Sequence, residues 1–416
     1  LPRLPLFHHP KHAKQIENEG TSKMKAVIAG GGIGGLATAV ALSMDNWDVE
    51  VVERAPALQE VGAGLQISPN GMCVLDHLKV TPHIEETLYE PETLEMRQGD
   101  GGRGIFQIKL KEYCEQRWGN RFIQIHRADL HSALQTRARE LGVQIRPRSE
   151  VTGYIREGNG ASVYVNGQDR IHGDIVIGAD GIKSALRAQL AGPDRARFTG
   201  NVAWRITVPT SELDMSQLPK GGCVWVGGGK HAVTTRIKAG DVVNFVGIVK
   251  QSDWQEEGWT IPGTKDQALA DFGDWDPVLE QIIRHASDLH RWALFDRPAL
   301  AKWSDGPVAL LGDAAHSMLP SMAQGAVQAL EDAVILTKML RTHDNADTAM
   351  NAYCDARLAR TSKIVKRSSE NLSLFHTSGA MAQATKFGPI WIAGKLSQNL
   401  IHRQQDWIYG YNVLKD

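Results

Sequence analysis

Between Lys25 and Glu53 the spacing of apolar positions changes twice. Lys25–Ala29 (KAVIA) is a short continuous apolar run that stops at Gly30–Gly31–Gly32. An Ala/Leu-rich helical pattern follows from Ile33 to about Met44, and a second apolar run, Val49–Val52, ends at Glu53. Strand, glycine turn, helix, strand is the opening unit of a doubly wound sheet. Further on, Pro69 opens a predicted helix through about Leu78. Residues 92–110 read as extended segments around Gly99, Gly101, Gly102 and Gly104. A helix over Asp129–Leu141 and a strand over Val143–Ile145 come next. Strands at 161–166 and 171–177 then lead into Gly178–Ala179–Asp180–Gly181.

From about 198 to 300 strand-like alternation dominates (GGCVWVGGG, HAVTTRIK, DVVNFVGIVK), with many Trp and few long helices. This predicts a sheet-bearing insertion over 182–300. An apolar strand returns at Pro307–Leu311, and long helical patterns prevail from about Gln324 onward, with no internal repeat and no low-complexity linker. The two domains are therefore expected to be interleaved and tightly packed.

Composition narrows the function only by exclusion. The 416 residues carry a net charge of −1, so no global field recruits nucleic acid or an anionic membrane. No apolar run reaches the roughly 18 residues that span a bilayer. Cys73, Cys114, Cys223 and Cys354 lack any CxxC or metal-ligand spacing, which predicts reduced thiols, a cytoplasmic location and no metal site. Residues 1–23, before Met24, are read as a disordered leader or upstream extension.

Two motifs carry chemistry. In Gly30–x–Gly32–x–x–Gly35, Gly30 permits the tight turn, Gly32 lets backbone approach a pyrophosphate, and Gly35 allows close helix–sheet packing. The helix N-terminus then stabilises phosphate charge through its free N–H groups. Glu53, 18 residues after Gly35, is placed to accept hydrogen bonds from a ribose diol. An acid at that position suits FAD or NAD alike. The second motif, Leu310–Leu311–Gly312–Asp313–Ala314–Ala315–His316, runs into PSMAQGA (320–326) and a helix containing Glu331–Asp332. A carboxylate there suits flavin ribityl hydroxyls, and a helix beginning near Gly325 and Ala326 can aim N–H groups at the flavin N1/O2 edge. The competing interpretation is an ordinary strand–turn–helix with a capping Asp.

Taken together, with Asp180–Gly181 (GADGIKSALR) between them, these motifs resemble the group A flavoprotein monooxygenases, the p-hydroxybenzoate hydroxylase fold, from about Lys25 to about Leu372. The segments VGAGLQISPN (61–70), HRADLH (126–131), WVGGGKHAVTTRI (225–237) and MLPSMAQGAVQALEDA (318–333) are similar to the salicylate hydroxylase, 3-hydroxybenzoate 6-hydroxylase and 6-hydroxynicotinate 3-monooxygenase branch. The resemblance implies an α/β fold: a Rossmann-like FAD-binding domain (24–181 and 301–345, with substrate-domain strands near 92–125) interleaved with a substrate domain (182–300), then C-terminal helices (346–416). It implies FAD as cofactor, NADH or NADPH as transient electron donor, and O2 and a small hydroxylated aromatic acid as substrates. Oxygen transfer would pass through a flavin C4a-hydroperoxide, in a monomer or homodimer. It places Arg127 against FAD, Arg54 near the adenosine ribose, and Asp180 and Asp313 at the cofactor. Ser317 stands where many relatives have Pro after GDAAH, and Thr235 where some have Tyr, so substrate identity does not transfer.

His231 opens the strand HAVTTRIK, where relatives face a histidine toward substrate. A base that takes the phenol proton would aid electrophilic oxygen transfer; the alternative is a partly exposed strand histidine. Gln66, Thr235 and Pro320 are the other expected pocket residues. His316 is expected to hold the Gly312–Asp313 loop and not to act as a base. Trp204, Trp225, Trp254, Trp259 and Trp275 are assigned no role. A flavin-dependent halogenase would need WxWxIP, which WRITVP (204–209) and EGWTIP (257–262) fail. Oxygenation of a larger isoprenoid or polyketide aromatic, and a non-catalytic flavin-binding protein, are the alternatives left open.

Overall fold

A computed structural model describes residues 23–58, 64–193, 196–252 and 261–415. The expected leader (all but its last residue), the VGA of VGAGLQISPN, Trp254 and Trp259 lie outside the described residues.

A six-stranded sheet forms the first layer, in the order Ser304–Asp305, Val308–Leu310, Ile175–Gly178, Lys25–Ala29, Asp48–Val52, Gln144–Arg146. All its pairings are parallel except the short edge strand Ser304–Asp305. The chain builds from Lys25–Ala29 to one side, then crosses to Ile175–Gly178 on the other. Ligands of open parallel sheets bind outside the carboxyl ends at such a reversal. The helix Ile33–Met44 packs on this sheet with Ile33, Leu36, Ala37, Val40 and Ala41 buried. Full burial of a side chain such as Leu36 is worth about 1.5–3 kcal/mol.

The second layer is an eight-stranded sheet: Ile261–Pro262, Leu289–Asp296, Arg197–Pro209, Val242–Lys250, Lys230–Ile237, Gly222–Gly227, Thr93–Gln98, Gly104–Lys109. It is antiparallel apart from the parallel pair Gly222–Gly227 and Thr93–Gln98. Strand alternation sorts its faces. Trp204, Trp225 and Phe245 turn toward the helices Lys265–Phe272 and Pro277–His285, where they make a second core. Val224, His231, Val233, Thr235, Asn244, Val246 and Ile248 turn the other way, toward a cavity.

Most elements fall where the patterns predict them. The expected strand 171–177 is instead two strands in two sheets, Asp169–Gly173 and Ile175–Gly178. The break falls at Asp174, whose carboxylate accepts the backbone N–H of Lys25 at 2.6 Å. That bond turns the chain out of a small antiparallel sheet, completed by Val151–Glu157 and Gly160–Val165, into the parallel one. A two-stranded ribbon, Gly64–Ile67 with Ile123–His126, links the layers; its Gly64 N–H donates to Asn244 Oδ1 at 2.9 Å. The chain ends in helices over Gly325–Thr342, Ala346–Phe375, Ala380–Leu396 and shorter turns. Among the described residues no helix is long and apolar enough to cross a membrane, and all four cysteines are free.

Candidate active site

The glycine turn after Lys25–Ala29 is held from three sides. Gly30 has φ +107°, and a Cβ there would lie 2.3 Å from the Ala179 carbonyl oxygen, so only glycine fits. At Gly35 a Cβ would lie 2.0 Å from the Gly30 carbonyl oxygen. Glu53 Oε2 accepts the Gly31 N–H at 2.8 Å, while its Oε1 accepts Ala55 N–H at 2.8 Å. On the other flank the Gly31 carbonyl oxygen is 2.7 Å from Nε2 of buried His131, which must be the donor. His131 lies in HRADLH, and nothing local in the sequence announces that contact.

The helix Ile33–Met44 therefore starts at Gly32 with no side-chain cap and no acid in its first turn. The helix Gly325–Thr342 starts the same way, at Gln324. Both N-termini open on one cavity of about 1010 Å³, lined by Gly32–Gly34 at one end and Gly325 and Ala326 further along. Uncapped helix N-termini leave N–H donors and a positive dipole end for negative charge.

A buried polar network sets the second N-terminus in place. Asn70 Nδ2 donates to Glu331 Oε1 at 2.7 Å and to Gln324 Oε1 at 3.2 Å, and Gln324 Nε2 donates to Ser68 Oγ at 2.9 Å. Arg357, fully buried on the Ala346–Phe375 helix, donates to Asp332 Oδ1 at 2.6 Å and Glu331 Oε2 at 2.7 Å. Asp332 Oδ2 takes the Gly312 N–H at 3.0 Å and His316 Nε2 at 2.7 Å. Burial by itself would raise the Asp332 pKa; His316 and Arg357 overcome it and hold it at about 2. His316 is thus tied to the Gly312 loop, which carries Asp313 into the cavity wall.

Of the expected cofactor residues, Gly32, Arg127, Asp313, Gly325 and Ala326 line the cavity. Gly30, Gly35 and Glu53 shape the turn behind it, and Arg54 is exposed beside Glu53. Asp180 stands back too. Its Oδ2 accepts the N–H groups of Ala185 and Leu186, while its neighbours Ala179 and Gly181 reach the cavity.

All four expected pocket residues, Gln66, His231, Thr235 and Pro320, line the same cavity. His231 and Thr235 are four apart on one strand and so share a face. Thr235 Oγ1 accepts from Asn244 Nδ2 at 3.0 Å, across the register pair Thr235–Asn244. His231 is 1% exposed, not a half-open strand histidine. Burial, with His376 beside it, holds its pKa well below the usual histidine range. Trp204 and Trp225 belong to the core, and Trp292, which the sequence did not single out, joins the wall instead. The C-terminal segment adds Leu374, Phe375, Ile390, Ala393, Ile401 and Tyr409 to the cavity wall.

Residues 23–368 match the FAD binding domain family. The chain is 33% identical to 3-hydroxybenzoate 6-hydroxylase of Polaromonas naphthalenivorans over 95% of this chain and 98% of that protein. It is 31% identical to 6-hydroxynicotinate 3-monooxygenase of Bordetella bronchiseptica over 94% and 96%. A solved variant of HpxO from Klebsiella pneumoniae, complexed with FAD, superposes with a TM-score of 0.81 at 26% identity, covering 92% of this chain and 98% of that one. With two uncapped helix N-termini on one cavity and these similarities over nearly its whole length, the chain belongs to the FAD binding domain family, as a flavoprotein monooxygenase.

Proposed function

We propose that this enzyme hydroxylates a small hydroxylated aromatic acid of the salicylate, hydroxybenzoate or hydroxynicotinate type, with NAD(P)H and O2. The observation that carries this proposal is the single cavity running from the Gly32 helix N-terminus to His231. Its volume is at the top of the ~300–1,000 Å³ range of single-ligand pockets. Because it must also take the flavin end of FAD, the substrate's share suits one aromatic ring better than a fused isoprenoid or polyketide skeleton.

The residues present fit FAD. The Gly32–Gly34 turn would meet the pyrophosphate, Glu53 and Arg54 the adenosine ribose, and Asp313 the ribityl chain. Arg127, Gly325 and Ala326 would lie along the ring. When bound, FAD accepts electrons from NAD(P)H and activates O2 for transfer to the substrate ring. The protein's own work is orientation, exclusion of water and movement of one proton. Leu94, Met96, Phe106, Val224, Val246, Ile248, Leu374 and Phe375 form an apolar cage that keeps water from the reacting ring. Gln66, Thr235 and Pro320 set the ring's orientation within it. Arg127, Lys183, Arg297 and Arg367 outnumber Glu95 and Asp313 on the wall, which favours an anionic cofactor and an anionic substrate. His231, buried and neutral, takes the phenol proton at Nε2, making the ring carbons ortho and para to the oxygen electron-rich.

Three buried free thiols agree with a reducing cytoplasmic setting. The test is anaerobic reduction of the bound flavin by NADH with a panel of hydroxybenzoates and hydroxynicotinates. One acid of the panel should accelerate reduction and perturb the flavin spectrum on binding. If none does, and a larger aromatic does, the small-acid assignment fails.

A further inference from the structure

His376 caps the C-terminus of the Ala346–Phe375 helix and points into the wall behind His231. Its Nε2 lies 2.8 Å from His231 Nδ1, with ring centroids 4.9 Å apart and planes inclined by 55°. The ring centroid of Phe375 is 5.2 Å from that of His231, so two consecutive residues at one helix end pack against the imidazole. His376 is 6% exposed and is not part of the cavity lining. From His231 outward there is thus a substrate-facing ring, a second ring behind it, and then exposed Ser378 and Gly379 two and three residues on.

We propose that His376 is a positioning and proton-passing residue for His231, forming a two-histidine relay from the substrate pocket to the protein surface. This rests on the assignment of His231 as the base.

An N···N distance of 2.8 Å holds one shared proton, so one ring donates and the other accepts. Two neutral imidazoles can meet this way, and both are neutral here. Burial, with the Lys250 charge adding to it, brings the His376 pKa down to about 4. The groups that face the pair give a proton no resting place. Lys250 comes from the neighbouring strand, Lys386 reaches Thr377 from the next helix, and among the described residues no carboxylate is hydrogen-bonded to either ring. When His231 donates through Nδ1, its Nε2 lone pair is left for the substrate hydroxyl.

The substrate O–H bond breaks, its electron pair stays on oxygen, and an N–H bond forms at His231 Nε2. The His231 Nδ1–H bond breaks as one forms at His376 Nε2. The His376 Nδ1–H bond breaks last, releasing that proton to surface water. When the product phenol re-forms, the same sequence runs backward and restores both tautomers.

The experiment compares His231→Asn, His376→Gln and His376→Phe in the FAD-loaded enzyme, with 3-hydroxybenzoate or the panel acid that turns over in its place. Glutamine keeps a hydrogen-bonding group beside His231 but cannot accept and release a proton at opposite ends. The relay predicts that Gln and Phe both slow turnover about ten-fold or more, with substrate affinity unchanged. Added imidazole should restore the rate of the Gln variant. A Gln variant at wild-type rate with an unchanged pH profile overturns the relay but leaves the base assignment standing. A His231→Asn variant at wild-type rate overturns both. Independently of any variant, mixtures of H2O and D2O should give the wild-type enzyme a curved rate dependence, because more than one proton moves; a straight line contradicts the relay.

Discussion

His316 Nε2 lies 2.7 Å from Asp332 Oδ2, and that same oxygen accepts the Gly312 N–H at 3.0 Å. The histidine of the GDAAH motif is therefore occupied in holding the loop that presents Asp313. Arg357 completes the arrangement from a helix that starts 30 residues after His316. The loop is as rigid as the buried charges around it.

Arg357→Met should destabilise the protein by about 3–5 kcal/mol, because it leaves Glu331 and Asp332 buried with too little positive charge. Arg360 still reaches Glu331, so the greater loss falls on Asp332 and the Gly312 loop. Thermal melting and FAD release, measured together, should both shift. A variant with a wild-type melting temperature would show that the network adds no stability.

Glu53→Gln replaces one of the two oxygens that clamp Gly31 and Ala55 with an NH2 group. Losing a charge-assisted hydrogen bond costs about 1.5–3 kcal/mol. FAD affinity, measured by flavin fluorescence titration, should fall by about ten-fold or more. Unchanged affinity would mean that the clamp plays no part in shaping the cofactor turn.

Gly35→Ala forces a methyl group against the Gly30 carbonyl oxygen. The clash is with backbone, so relief requires the helix to move off the sheet, at about 1–3 kcal/mol. The expected outcome is a lowered melting temperature and weak FAD retention. Gly104→Ala, where no atom lies within 4 Å of the added group, is the matched control and should change neither.

His376 should make stability fall in mild acid. Its folded pKa of about 4 is below the ordinary 6.5, so between those values the unfolded chain binds a proton that the native protein does not. The contribution is complete above about pH 6.5 and is lost as pH falls toward 4, by roughly 3 kcal/mol. Urea melts between pH 7.5 and 4.5 should show this slope, and His376→Gln should flatten it. An equal slope in the variant would place the proton uptake elsewhere.

The parts of the site that follow from local rules were readable in the chain. GxGxxG between a strand and a helix announces the turn at Gly30, and strand periodicity places His231 and Thr235 on one face. What escaped is what distant segments supply. His376 reaches His231 across 145 residues of chain, Arg357 reaches Asp332 across 25, and Asn244 meets Gly64 across 180. No local pattern encodes such meetings, because the partner is chosen by how the C-terminal helices pack over the large sheet. The strand expected at 171–177 failed for a related reason. Ile171 and Ile175–Ile177 suggest one strand, but His172–Gly173–Asp174 interrupts the apolar run, and the Asp174 contact with Lys25 N–H divides it between two sheets.

Product analysis under 18O2 reads oxygen transfer to a small aromatic acid without an intermediary. With NADH and the acid that stimulates flavin reduction, the product should carry one 18O atom on the ring, formed in proportion to the NADH consumed. NADH oxidation that yields only hydrogen peroxide, across the whole panel of hydroxybenzoates and hydroxynicotinates, would contradict it.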